Sequence, residues 1–410
     1  METAAYTKRG YHEYAQEGHD AEFEGVITGY GAVNGALVFA FAQDETRMKG
    51  AMDGRHAKKI LDLYDLALKK CAPVVGIFSS CGAFVEEGVT ALAAYGRLLK
   101  VVADAGECLT QVAYINGPCT GTSSAIAASF DFVVAKEGVP FYVTSPDLGG
   151  KALGSDTVCY TGSEADCFGY IRSLLAFLPE EDECEDCQDD LNRRLSGVSA
   201  DGEIGALVAA ISDCGVTLPY FPAFGDGLLT AFATVGGVKC GIVANNYAVD
   251  GGAITTEVAC KLTSFLSVCD DYGLPVVTLV NSRGPAADIS VDAVKALAYA
   301  YATLEVPQVT VILGHAIGAA FTLMGSKSLG AELVYTLEGA EIGVLPASSA
   351  VAFAWNGSIT EETTREELEE KWRTSVSTPA AAAATGEIDD IIAPSEIRAR
   401  IASALLMLSC

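Results

Sequence analysis

The chain is one unit written twice. Gln111, Gly117 and Gly121 recur as Gln308, Gly314 and Gly318 at an offset of 197 residues. A wider repeat surrounds them at an offset of 202: Val33, Gly35 and Ala42 return as Val235, Gly237 and Ala244. Ala57, Lys59, Pro73, Val74, Val75, Ser80 and Gly82 return as Ala259, Lys261, Pro275, Val276, Val277, Ser282 and Gly284. Glu137-Gly138 returns as Glu338-Gly339 at 201. A repeat this long confines the chain to two like-folded halves.

Within each half the most informative stretch is Gln111 to Asp131, QVAYINGPCTGTSSAIAASFD, mirrored by Gln308 to Leu329, QVTVILGHAIGAAFTLMGSKSL. An apolar run, Val112 to Ile115, has strand length and breaks at Gly117, Pro118 and Gly121. A small-residue, helix-compatible run follows, Ser123 to Ala128. A strand that stops at glycines just before a helix leaves backbone N–H groups aimed at one spot, which can hold an oxyanion. The same pattern is also what an ordinary strand–helix turn looks like.

The 410 residues suffice for two domains with full cores. Half of them are apolar, which places the chain among globular proteins. No apolar run reaches the ~18 residues of a membrane span. The polar start, METAAYTKRGYHEYAQEGHD, lacks the apolar core of a signal peptide. A soluble, cytoplasmic protein without membrane insertion is expected. A net charge of −27 argues against nucleic acid as a partner, since phosphates demand a surplus of Lys and Arg. A phosphate-bearing small ligand needs only local cations, and Arg55, Lys58 and Lys59 form such a cluster; a solvated helix face reads the same way. The 13 cysteines are scattered, mostly among apolar residues. Cys184 and Cys187 form the single CxxC, with no further ligands in range, so no metal site is expected.

Taken in order, the pattern predicts a hairpin turning at Asn34-Gly35, a helix from His56 to Lys70 and a buried strand from Pro73 to Phe78. A helix over Val89 to Ala103, the central strand–turn–helix and strands at Phe132 to Ala135 and Phe141 to Val143 follow. Further helices are read at Ala165 to Leu178, Leu191 to Ile211 and Ile359 to Arg373, with an amphipathic helix closing the chain. The acid run Glu180 to Asp190 is the linker candidate. Domains are placed at 1–215 and 225–410. Strands alternating with helices make the fold class α/β.

Longer motifs now point to a family. GYGAVNGALVFAFAQD, HAKKILDLYDLALKKCAPVVGI, GPCTG and the SPD at Ser145 to Asp147 resemble the N-terminal half of biotin-dependent acyl-CoA carboxyltransferases. GGVKCGIVANN, VCDDYGLPVVTLV, YAYATLEVPQVTVILGHAIGAAF, GSKSLGAELVY and EIDDIIAPSEIR resemble the C-terminal half. The resemblance runs from about residue 24 to the end, with its motifs in order. The family includes carboxyltransferase subunits of acetyl- and propionyl-CoA carboxylases and of decarboxylases acting on methylmalonyl- or glutaconyl-CoA.

The resemblance implies two tandem crotonase-like domains built of repeated ββα units, each with one oxyanion hole. In the N-terminal half, amides at Gly121 and Thr122 would hold the enolate oxygen of an acyl-CoA thioester. In the C-terminal half, amides at Gly318 and Ala319 would hold the ureido oxygen of carboxybiotin carried on a separate protein. Carboxybiotin would release CO2, and the freed nitrogen would take the α-proton. Gly82, Ala83, Arg55, Lys58 and His315 would line the ligand sites. Implied partners are a biotin carrier protein with a biotin carboxylase, or membrane decarboxylase subunits. A homo-oligomer, dimer or trimer of dimers, is implied too, or one joined by a paralogous carboxyltransferase subunit.

The sequence departs from the family in places. Thr122 and Ala319 stand where the family has second glycines, and Phe84 stands where it has an arginine. Lys49-Gly50 replaces a Gly-Gly, Asn281-Ser282-Arg283-Gly284 replaces a DxPG-like loop, and a GGAxxH segment expected between Pro146 and Ser155 is missing. The alternative function is therefore a catalytically degenerate paralogue serving as a structural subunit. A hydratase using Glu86 and Glu87, or a nucleophilic Cys119, is a weaker reading, because surface glutamates are common and Cys119 has no histidine base in its motif.

Overall fold

The computed structural model describes residues 25–178, 187, 189–197, 202–360 and 363–409. The lead-in at 1–20, most of the acid run and Cys184 of the CxxC lie outside them. Two compact units follow one another, Met1–Pro179 and Glu180–Cys410.

The first unit is a sheet of β1 (Val26–Val33), β2 (Ala36–Gln43), β3 (Val74–Ser80), β4 (Gln111–Thr120), β5 (Phe132–Lys136), β6 (Phe141–Tyr142) and β7 (Tyr160–Gly162). Its strand order is β1-β2-β3-β4-β5-β7, with β6 beside the end of β4. β1 and β2 form an antiparallel hairpin whose turn needs positive φ twice, met by Asn34 at 50° and Gly35 at 90°. Every later pairing is parallel, so each strand must be fed by a crossover. The helices Gly54–Lys70 and Val89–Gly106 supply two of them. The first helix starts at Asp53, whose carboxylate accepts the N–H groups of Arg55 and His56 at 3.0 and 2.7 Å. Its predicted apolar face is buried through Ile60, Leu63, Tyr64 and Ala67. Burying Ile60 or Leu63 contributes ~1.5–3 kcal/mol each.

The second unit holds β8 (Thr217–Pro219), β9 (Leu228–Val235), β10 (Val238–Asn245), β11 (Val276–Ser282), β12 (Gln308–Ile317), β13 (Leu333–Leu337), β14 (Glu341–Gly343) and β15 (Asp390–Ile392). The order is β15-β13-β12-β11-β10-β9-β8, with β14 beside β12. The sequence repeat is thus a structural one. β1, β2 and β3 become β9, β10 and β11 with both ends moved by 202, and β4 becomes β12 with both ends moved by 197. Registers repeat too: Val74 faces Gln111 as Val276 faces Gln308, and Ser80 faces Cys119 as Ser282 faces Ala316.

The matched lysines explain part of the repeat. Lys59 donates to the Val26 carbonyl at 2.8 Å, and Lys261 donates to the carbonyls of Leu228 and Phe224 at 2.7 and 2.8 Å. Each ties a helix to the strand that opens its repeat, β1 in the first unit and β9 in the second. Burial holds the Lys261 ammonium down at about 8.

Three expectations change. β4 does not break at Gly117 and Pro118; it runs on to Thr120, because Cys119 and Thr120 pair with Phe141 and Tyr142 of β6. Gly117 serves close packing instead, since a Cβ there would sit 2.2 Å from the Ser79 Oγ. Within Leu191 to Ile211, only Ile204–Ile211 is helical among the described residues. The segment before it is held by Arg398, which donates to the carbonyl of Asp190 at 2.6 Å and to the Asp213 carboxylate at 2.7 Å. That helix and β8 pack with β9 and β10 of the second sheet. The charged helix begins at Arg365 and not at Ile359, because Thr364 and Glu367 form a capping box there.

Candidate functional site

Each unit ends its central strand in the same glycine. Gly121 has φ 64° and ψ −136°, and Gly318 has φ 57° and ψ −128°. This conformation belongs to the first central position of a type II′ turn and is open in practice to glycine. The Gly121 N–H donates to the Tyr142 carbonyl at 3.1 Å, and the Gly318 N–H to the Gly343 carbonyl at 2.8 Å. Both glycine amides are therefore engaged within the sheet. The next amides, of Thr122 and Ala319, open the short helices Thr122–Ala128 and Ala319–Leu323 and have no partner among the described residues. The predicted glycines set the turn, and the residue after each supplies the available donor.

A second loop faces each turn. After β3 the chain runs Ser80, Cys81, Gly82, Ala83, with the Gly82 N–H bonded to the Ser80 Oγ at 3.1 Å. After β11 the same bond recurs from Gly284 to Ser282 at 3.2 Å. A Cβ at Gly82 would lie 3.5 Å from the Thr120 carbonyl, and one at Gly284 would lie 3.4 Å from that of Ile317, so each loop lies against the strand end beside it. On the other side Met52 donates to the Gly82 carbonyl and accepts from the Phe84 N–H, both at 2.9 Å. The Ala83 N–H between them points away from Met52. In the first unit two backbone N–H groups, of Ala83 and Thr122, are thus without partners among the described residues.

The second unit differs at one atom. Ile254 takes the place of Met52 and bridges Pro285, which takes the place of Ala83. Proline has no N–H. The second turn is left with Ala319 as its backbone donor. The offset of 202 that matches Gly82 to Gly284 also matches Ala83 to Pro285, so this difference could have been read from the repeat.

The remaining candidates fall as follows. Arg55 is exposed at the start of the helix Gly54–Lys70, three residues past Met52, hence at the sheet end that carries the first turn. Lys58 is exposed and paired with Asp62 at 2.7 Å. Lys59 leaves the proposed phosphate cluster, since it is tied to the Val26 carbonyl. Glu87 accepts the Gly54 N–H at 2.8 Å and so caps a helix. Cys119 is fully buried, and burial pushes its thiol up to about 12, which removes thiolate chemistry near neutral pH. His315 is half-buried three residues before Gly318, its Nδ1 3.2 Å from the Asn281 Oδ1 and its ring stacked on Tyr247 at 4.8 Å. His56, which the sequence did not single out, is wholly buried beside Gln43, and burial holds its imidazole down at about 3. Among the described residues, no group of three or more His, Cys, Asp and Glu is arranged to hold a metal ion. No helix among them is long and apolar enough to cross a membrane.

Known proteins share this build. The family described as the carboxyl transferase domain matches residues 5–161 and 157–409. The methylmalonyl-CoA decarboxylase subunit alpha of Propionigenium modestum is 32% identical, over 100% of this chain and 87% of its own. The methylmalonyl-CoA carboxyltransferase 12S subunit of Propionibacterium freudenreichii subsp. shermanii is 30% identical, over 94% of this chain and 81% of its own. A crystal structure of transcarboxylase 12S, described as a hexamer assembly with methylmalonyl-coenzyme A and methylmalonic acid bound, superimposes with a TM-score of 0.86. That match has 28% identity and covers 94% of this chain and 82% of the other. The two sheets are accordingly the tandem crotonase-like domains that the sequence motifs implied.

Proposed function

Because the chain belongs to the carboxyl transferase domain family, we propose that it moves a carboxyl group between carboxybiotin and an acyl-CoA, through an enolate held by backbone amides. The observation that carries this reading is the pair of like turns at Gly121 and Gly318, each followed by an amide without a partner among the described residues. The amides of Ala83 and Thr122 would together hold the thioester oxygen, where a full negative charge develops. The second turn offers Ala319, which suits a neutral acceptor such as a ureido oxygen and needs no side-chain acid. Carboxybiotin, brought by a separate carrier protein, supplies the carboxyl group and then the base for the α-proton. Arg55, at the same sheet end as the first turn, and Lys58, one turn further along its helix, would meet the phosphates of coenzyme A.

Val85, Val89, Val143 and Leu148 are exposed in the first unit, Val143 directly after Tyr142, whose carbonyl holds the Gly121 N–H. Val291, Val344 and Phe353 are exposed in the second unit. Apolar side chains gathered beside a site are expected to be covered by another chain, which supports a homo-oligomer, or one joined by a paralogous subunit, that works with a carrier and its carboxylase or decarboxylase subunits. The relatives' names, decarboxylase subunit alpha and carboxyltransferase 12S subunit, describe parts of such assemblies.

The experiment is direct. The protein is mixed with methylmalonyl-CoA or malonyl-CoA and free biotin, and release of propionyl-CoA or acetyl-CoA is followed. Biotin-dependent release is expected. Neither release nor calorimetric binding of any acyl-CoA would overturn the reading. Binding without release would favour the second reading, a structural subunit beside an active paralogue, which the donor lost at Pro285 favours.

A further inference from the structure

The two units keep their backbone devices but not the polar side chains around them. In the first unit, Glu45 accepts from the Ser79 hydroxyl at 2.7 Å, and Cys81 follows β3. At the same three repeat positions the second unit has Tyr247, Asn281 and Arg283. The acid has become an aromatic and the thiol a guanidinium. The guanidinium carbon of Arg283 lies 5.1 Å from the centre of the Tyr247 ring. His315 stacks on that same ring, 4.8 Å away and within 7° of parallel. The cluster flanks the turn: Arg283 directly precedes Gly284, and His315 lies three residues before Gly318.

Two groups in it are left over. The Arg283 guanidinium makes no hydrogen bond or ion pair among the described residues, although acids outnumber bases 53 to 26 in this chain. The buried Tyr247 hydroxyl also has no partner among them. Glu341, the acid beside His315, is turned to other groups: one oxygen lies 3.9 Å from the His315 Nε2 and the other accepts the Ala347 N–H at 3.3 Å. An aromatic face positions a guanidinium and leaves its N–H edge free for a flat anion. The cation also sits two residues before Pro285, where the other unit has an N–H donor and this one has none.

We propose that Arg283, positioned by Tyr247 and His315, is a carboxylate-binding subsite beside the second turn. It adds to the reading of the chain as a carboxyltransferase and rests on it for the ligand. The carboxylate is either the one borne by biotin or the one borne by the acyl group of a malonyl-type thioester. A guanidinium holds such a group through two parallel N–H···O bonds and fixes its plane.

The test uses the full-length protein with malonate as probe, and acetamide as an uncharged control, titrated by calorimetry. Arg283→Ala is expected to weaken malonate binding by about tenfold or more, and Arg283→Lys to retain part of it, since the charge survives and the fork does not. Both variants should melt as the wild type does, because the side chain is exposed. Methylmalonyl-CoA and propionyl-CoA then separate the sources. Weaker methylmalonyl-CoA binding with unchanged propionyl-CoA binding assigns the acyl carboxylate. Unchanged binding of both, with slower transfer onto biotin, assigns the biotin-borne one. Equal malonate binding by wild type and Arg283→Ala overturns the inference, even where carboxyl transfer itself is intact. A protein that transfers nothing yet loses malonate with Arg283 retains the subsite and loses the functional reading.

Discussion

The turn glycines offer the sharpest perturbation. Gly121 sits at φ 64° and ψ −136°, a region that a Cβ makes costly. Around it there is room: a Cβ built at Gly121 meets nothing within 4 Å. Gly121→Ala therefore carries no clash, and its whole cost is conformational, ~1–3 kcal/mol for a residue held in such a region. At Gly318 the same backbone strain applies, and the Cβ would also lie 3.2 Å from the Val344 carbonyl. Gly318→Ala should cost more than Gly121→Ala. For units of this size 1 kcal/mol moves Tm by about 2–4 °C, so Gly121→Ala should lower the melting of the first unit by roughly 2–12 °C.

The chain has one way to avoid that strain, which is to rotate the peptide between residues 121 and 122. Rotation re-aims the Thr122 N–H, the donor assigned to the enolate oxygen. Loss of one such donor typically costs ~2.7–4 kcal/mol of transition-state stabilisation, or 10²–10³ in rate. Strain retained shows as a lower Tm with transfer preserved, and strain relieved shows as transfer lost with Tm preserved. Differential scanning calorimetry and the biotin-dependent acyl-CoA assay together measure both. A Gly121→Ala protein with unchanged Tm and unchanged kcat would refute the claim that this turn presents a catalytic amide.

Three further outcomes follow from the same geometry. Thr122→Gly with Ala319→Gly removes the two side chains nearest the available amides and should raise biotin-dependent malonyl-CoA decarboxylation by on the order of 10-fold, up to 100-fold; an unchanged rate in a folded double variant would show that crowding there is not limiting. Lys261→Met leaves the carbonyls of Phe224 and Leu228 unpaired and should destabilise the second unit by ~2–3 kcal/mol in urea unfolding, more than Lys59→Met destabilises the first, where the Val26 carbonyl is the bond lost. His56 is buried and neutral, with its pKa depressed from 6.5 to about 3, so its neutral form contributes stability in full above pH 6.5. That contribution drains away as pH falls from 6.5 towards 3, by up to about 1.4 kcal/mol per pH unit, because the unfolded chain takes up the proton first. A His56→Gln protein should show a shallower loss of first-unit stability over that window, and identical slopes would contradict this.

How much of this was legible in the sequence depends on which atoms carry the information. The duplication was legible because it is written in residues with fixed structural duties. Gly121 and Gly318 hold a conformation closed to other residues, Lys59 and Lys261 tie helix to strand, and Gln111 and Gln308 bury side-chain amides at matched strand starts. The hairpin at Asn34-Gly35 was legible for the same reason. Gly117 misled, because a glycine that admits a neighbouring side chain looks in sequence like a glycine that makes a turn. Which amide is available was not legible. That depends on hydrogen bonds from Gly121 to β6 and from Gly318 to β14, strands of two and three residues too short to announce themselves.

The differences between the halves carry as much information as the matches. A duplicated unit begins with two like sites, and each later departs according to what it must hold. Here the backbone scaffold has stayed while four side-chain positions have moved apart: Glu45 to Tyr247, Ser79 to Asn281, Cys81 to Arg283 and Ala83 to Pro285. The first unit retains two amide donors and an acid bonded to Ser79; the second has one amide donor and a cation laid on an aromatic ring. Backbone N–H groups suit an oxyanion that forms and vanishes within a turnover, since they are fixed in place and cost no reorganisation. A guanidinium suits an anion that arrives already charged, since its attraction acts in the ground state. On that physical ground the proposal assigns developing charge to the first turn and a received carboxylate to the second. The prediction that separates them is that removing Arg283 should weaken binding of a charged ligand, whereas disturbing Gly121 should slow the chemical step.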